Sequence, residues 1–145
     1  MMKLSKNLTL EEACVTSSHF DNTAGKVEIE NLKLIAEKVF QPCRNHFNKP
    51  LKVNSGYRSH AVNKSIGGVS SSQHCTGQAL DLDFGNARDN KLLFDYIRIA
   101  LDFDQVINED NYSWIHVSYS NVKNRKEVLE MYKQNGKNNY RKIKQ

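Results

Sequence analysis

Ser72-Gln73-His74-Cys75-Thr76-Gly77-Gln78-Ala79-Leu80-Asp81 is the stretch on which the reading of this chain turns. From Ala79 to Phe84 apolar and polar residues alternate strictly, which predicts a strand with Leu80, Leu82 and Phe84 on one face and Asp81 and Asp83 on the other. Gly77 is placed to let the chain turn back between His74 and that strand, so that His74 and Asp81 converge. A second alternating run, Ser113-Trp114-Ile115-His116-Val117-Ser118-Tyr119, sends Ile115 and Val117 one way and Trp114, His116 and Ser118 the other. Two such strands present Asp81 and His116 on a shared face turned away from the core. Two imidazoles and one carboxylate suit Zn²⁺ and leave a fourth position for water, the pattern of catalytic rather than structural zinc. Zinc in such a site brings the pKa of a water to about 7 and polarises a scissile carbonyl.

Outward from these strands, the pattern predicts helices first and then strands with one helix between them, an α+β fold. Thr9-Leu10-Glu11-Glu12 is a capping box that opens a short helix. After a loop at Asp21–Gly25, Leu32, Ile35, Val39 and Cys43, extended by Phe47, form the stripe of a longer helix, with Pro42 expected to kink it or mark its last turn. Leu51–Asn54 reads as a short strand running into Ser55-Gly56-Tyr57-Arg58-Ser59, and residues 66–72 as a Gly/Ser-rich loop. Asn90–Leu101 is helical, with Leu93, Tyr96, Ile97 and Ala100 inward. Phe103–Ile107 and Trp114–Tyr119 are strands joined by a polar turn around Glu109, Asp110 and Asn111. No internal repeat is present.

The 145 residues fit one domain, expected over 1–132, followed by a basic, flexible tail over 133–145. The net charge of +5 is concentrated at that end: from Lys123 onward eight Lys/Arg face two Glu, whereas residues 1–122 carry thirteen Lys/Arg against fourteen Asp/Glu. Such an end attracts anionic polymers or is simply solvated; nucleic acid is not the expected partner, and a monomer is expected. Three cysteines without CxxC spacing argue against a disulfide framework or a cysteine metal cluster. No apolar run is long enough to span a bilayer, and the first residues lack the apolar stretch of a secretory signal. Synthesis in the cytoplasm without a leader is therefore expected.

His74, Gly77, Ala79 and Asp81 stand in the pattern S-x-H-x-x-G-x-A-x-D of the zinc D-alanyl-D-alanine peptidases, whose superfamily includes lysostaphin-type peptidases and the hedgehog domain. Ser55–Ser59 resembles that family's S-G-Y-R-S segment, and Trp114–Ser118 resembles the segment with its second zinc histidine. The resemblance runs from about Leu4 to Leu129. It implies a small antiparallel sheet flanked by helices, zinc on His74, Asp81 and His116, and hydrolysis of peptidoglycan stem peptides, either as a D-Ala-D-Ala carboxypeptidase or as an L-Ala-D-Glu endopeptidase. Stand-alone members occur in phages as wall-degrading endolysins, which fits an enzyme that acts on the cell wall. Arg58 matches the arginine that steadies the developing oxyanion. Tyr57, Ser72, Gln73 and Trp114 are the expected substrate contacts, and Asp83 an expected partner orienting a histidine. Many relatives carry the general base where this chain has Ser113. A turn carboxylate replaces it in another branch, which points to Glu109, with Asp110 as the neighbouring choice. The alternative is a non-catalytic zinc module serving wall recognition or phage structure.

Overall fold

The computed structural model describes residues 2–144. Helices α1 (Leu10–Ala13), α2 (Lys26–Ile35), α3 (Gln41–Phe47), α4 (His60–Ser65) and α5 (Ala87–Ala100) accompany strands β1 (Lys3–Ser5), β2 (Leu8–Thr9), β3 (Lys52–Ser55), β4 (Ala79–Asp83), β5 (Gln105–Glu109), β6 (Trp114–Ser118), β7 (Glu127–Gln134) and β8 (Lys137–Lys142). The fold is α+β, as expected. Strands β3 to β8 form one six-stranded sheet in the order β3-β4-β6-β5-β7-β8, and β1 pairs with β2 separately. All neighbours are antiparallel except β5 and β7, which run parallel, so the sheet is mixed rather than purely antiparallel.

The α1 capping box forms as read: Thr9 accepts from the Glu12 amide while the Glu12 side chain reaches back to the Thr9 amide. The stripe of Leu32, Ile35, Val39 and Cys43 is fully buried. Pro42 interrupts the helix in a specific way. It has no N–H to offer Lys38, and its ring crowds that carbonyl. The helix answers with a π-helical turn over Ala36–Phe40, where the Gln41 amide reaches the Ala36 carbonyl, and α3 restarts with Pro42 in its first turn. In α5, Leu93 and Ile97 point inward as expected, but Ala100 is exposed and Phe94 is buried in its stead.

One face of the sheet carries Leu80, Leu82, Val106, Ile115, Val117 and Val128, all packed with α2, the π-turn, α3 and α5 into a single core. Each such buried side chain contributes about 1.5–3 kcal/mol. Among the described residues no long helix covers the opposite face, and its residues are those of the site.

The segment expected as a flexible tail is ordered into strand β8, an edge strand that pairs with β7 from Gln134–Lys137 to Leu129–Lys142. Its sequence lacks an apolar stripe, so backbone pairing rather than side-chain burial holds it. Ile143 packs against the core beyond its end. Gln145 lies outside the described residues. Among the described residues, no helix is long and apolar enough to cross a membrane.

Candidate metal centre and cleft

Strand register builds the site. Asp81, His116, Ile107, Leu129 and Lys142 stand abreast on β4, β6, β5, β7 and β8; Trp114, Glu109, Met131 and Tyr140 form the next row. His74 arrives from outside the sheet, on the 3₁₀ turn Gln73–Thr76. Ser72 accepts from the His74 amide at the start of that turn, and Gly77 ends it with φ +75. A Cβ on Gly77 would lie 2.5 Å from the Glu28 carbonyl oxygen, so both the backbone conformation and the space require glycine.

His74, Asp81 and His116 offer three ligand atoms that lie within 4.8 Å of one another. His116 Nδ1 is 3.0 Å and His74 Nε2 3.3 Å from Asp81 Oδ1. The Gly56 carbonyl accepts from His74 Nδ1 at 2.6 Å, which assigns the proton to that nitrogen. Burial pushes the His74 pKa down, against the pull of the Asp81 charge, so the ring is neutral. Its Nε2 lone pair therefore faces a carboxylate oxygen. For Asp81 burial acts upward, but the two histidines outweigh it and keep the carboxylate ionised. A histidine lone pair aimed at a buried carboxylate oxygen suits a cation between them, and an N,N,O donor set with room for further ligands fits zinc.

The outer shell is equally ordered. The Arg58 amide donates to the His74 carbonyl, while Gly56 holds the His74 ring, so segment 56–58 clamps the histidine from both sides. The Arg58 guanidinium donates to Ser55, to Asn63 and, at 3.4 Å, to Asp81 Oδ2. Two of its five N–H groups remain for a ligand in the cleft. Glu109 is 7% exposed and faces the same cleft; burial pushes its carboxyl up to about 7, with Asp81 and Asp110 adding to the rise and His116 opposing it. Asp110 turns outward toward Lys133, 3.9 Å away. The turn after Glu109 is unusual, since Asp110, Asn111 and Tyr112 all have left-handed φ values of 51, 57 and 62. Asn108 Oδ1 accepts from the Tyr112 amide, and the buried Asn90 on α5 donates to the Tyr112 carbonyl.

The cleft has a volume of about 860 Å³, and Arg58, Ser72, Gln73, His74, Asp81, Glu109, Trp114 and His116 all line it. Two expected residues do not belong there. Tyr57 is a core residue, 8% exposed, because its side chain turns inward where its neighbour Arg58 turns to the site. Asp83 does not orient a histidine: it accepts from Asn90, the Gly85 amide and Asn54 at the outer end of β4, where it anchors the start of α5. Gln73 lines the cleft, yet its amide donates to Asp104. That buried carboxylate, held down to about 2 by the Arg125 guanidinium, also ties the loop before β7 to the start of β5. Asn63, Asp104, Arg125 and the β7–β8 hairpin carry no motif and were not expected at the site.

No curated protein matches the chain. Residues 5–118 match the family model described as Peptidase M15, a span that runs from the end of β1 through β6 and contains every candidate metal ligand. A match over that share of the sequence identifies the chain as a member of the peptidase M15 family.

Proposed function

We propose that this protein is a zinc peptidase that hydrolyses peptide bonds in bacterial peptidoglycan stems. The observation that carries the reading is the convergence of His74 Nε2, His116 Nδ1 and Asp81 Oδ1 beside a buried carboxylate, Glu109, in one cleft. His74, Asp81 and His116 would hold the zinc, which would supply Lewis acidity toward a water and the scissile carbonyl. The chain's own groups do the rest. The Glu109 carboxylate takes a proton from the attacking water and returns it to the leaving nitrogen, a role suited to a carboxyl that titrates near neutral pH. Arg58 directs its remaining N–H groups at the developing oxyanion, held in place by Ser55, Asn63 and Asp81. Gly56 fixes the His74 tautomer, and Arg58 keeps Asp81 in position. Trp114, Ser72 and Gln73 line the path of the substrate.

Incubation of the zinc-loaded protein with purified muropeptides, followed by mass spectrometry, tests this reading. New termini within the stem peptide are expected, together with their loss in His74→Ala. Intact muropeptides after incubation with fully metal-loaded protein would overturn it.

A further inference from the structure

The family match stops at residue 118, but the cleft does not. Leu129, Met131 and Lys133 on β7 and Asn138 and Tyr140 on β8 line the same cavity as His74 and Glu109. Along the sheet, β5, β7 and β8 follow β6, so the floor continues three strand spacings beyond His116, about 14 Å. That length accommodates about four extended residues. The floor there is largely apolar, from Ile107 through Leu129 and Met131 to Tyr140, whose ring is 54% exposed. Burial and the charges of Glu109 and Asp81 raise the Tyr140 pKa, which agrees with a ring inclined toward the reacting end.

Charge supports a chain that runs through. The Lys and Arg side chains lining the cleft each face a carboxylate of the protein itself: Arg58 with Asp81 at 3.4 Å, Arg125 with Asp104 at 2.8 Å and Lys133 with Asp110 at 3.9 Å. Among the described residues, then, each Lys or Arg lining the groove already faces a carboxylate, and only the two remaining Arg58 N–H groups, at the metal end, are left for a ligand. Beyond the metal end the groove is matched by the backbone of an extended peptide rather than by a chain terminus.

We propose that the β7–β8 hairpin is a peptide-binding wall of the cleft and that Tyr140 is a specificity residue, holding the part of an extended peptide that continues away from the metal cradle. This rests on the peptide-hydrolysing reading of the site, with which the groove is continuous.

The test uses the zinc-loaded full chain and its single tryptophan, Trp114, which lies on the cleft floor beside Glu109 and reports occupancy by fluorescence. Binding amplitudes are read in a stopped-flow instrument before turnover, with the pentapeptide L-Ala-D-Glu-L-Lys-D-Ala-D-Ala and the dipeptide D-Ala-D-Ala as probes. Tyr140→Ala is expected to weaken pentapeptide binding about ten-fold, the equivalent of about 1.4 kcal/mol, and to leave dipeptide binding within about two-fold. Tyr140→Phe, which keeps the ring, is expected to retain the affinity of the wild type. Equal loss for both probes, no loss for either, or a wild type that binds neither peptide overturns the proposal. Mass spectrometry of the same mixtures separates the two readings. Tyr140-dependent binding without any cleavage product upholds the wall and overturns the peptidase; cleavage indifferent to Tyr140 does the reverse.

Discussion

Replacing Glu109 with Gln is expected to make the zinc-free protein more stable and the zinc-loaded protein nearly inactive. Glu109 is 7% exposed, between Trp114 and Met131 in its row, and its carboxyl is pushed from 4.5 up to about 7. The native state thus keeps a proton between those pH values that the unfolded chain releases. Stability contributed by this site falls as pH rises through that window and stays low above it. At 1.36 kcal/mol per pH unit, the difference between 4.5 and about 7 corresponds to about 3 kcal/mol at pH 8, and to almost nothing at pH 4.5. Gln has the same size and does not ionise. Urea denaturation of the chelated proteins at pH 4 and pH 8 should show midpoints that nearly coincide at the lower pH and separate at the higher one, with the variant more resistant. Zinc should narrow the gap, because a nearby cation favours the carboxylate. Turnover of the loaded variant should drop by about two orders of magnitude or more. Coincident midpoints at both pH values would refute the burial argument. Undiminished turnover, with a collapse in Asp110→Asn instead, would move the base one residue on.

Further outcomes follow from the same geometry. His74→Ala should remove most of the zinc, measured by metal analysis after dialysis; full occupancy would exclude His74 as a ligand. Gly56→Ala places a Cβ 2.2 Å from the Ala13 carbonyl oxygen, so the segment that orients His74 must shift. Lower melting temperature and at least ten-fold weaker zinc binding are expected, in line with the loss of an outer-shell partner. Asp104→Asn should lower stability by about 1–3 kcal/mol near neutral pH by weakening the bonds from Arg125 and Gln73. Because the Asp104 carboxyl is held down to about 2, that difference should fade as pH falls from 4 toward 2. Deleting 135–145 strips β8 from β7 and removes Ile143 from the core; a clear drop in melting temperature is expected, and an unchanged value would mean that β8 adds nothing to the fold.

What was legible in the sequence is what strict alternation encodes. Leu80 and Leu82 against Asp81, and Ile115 and Val117 against His116, told core from site without any knowledge of pairing. Gly77 was readable because a left-handed turn has few other occupants. Direction at irregular positions was not readable: Tyr57 and Arg58 are adjacent in one motif, yet only Arg58 turns to the cleft. Asp83 shares the face of Asp81, but the start of α5 captures it. Strand β8, Lys-Asn-Asn-Tyr-Arg-Lys, has the composition of a solvated tail because an edge strand on a wet face needs no apolar stripe. Its pairing partner, β7, joins β5 in parallel, a long-range choice that no local pattern announces.

That parallel pairing also divides the site along the chain. In chain order His74, Asp81 and His116, and with them β4, β5 and β6, all precede residues 127–134. Without those residues the outer edge of β5, the strand bearing Glu109, has no neighbour, and Met131 is not there to cover the carboxylate. The three donors need nothing from those last strands, but Glu109 acquires its dry setting only when β7 docks. The donor set and the covered carboxylate thus depend on different parts of the chain, the first complete by residue 116 and the second only with β7. A truncated product ending near residue 120 would therefore keep the His74, Asp81 and His116 donors but leave Glu109 uncovered along β5.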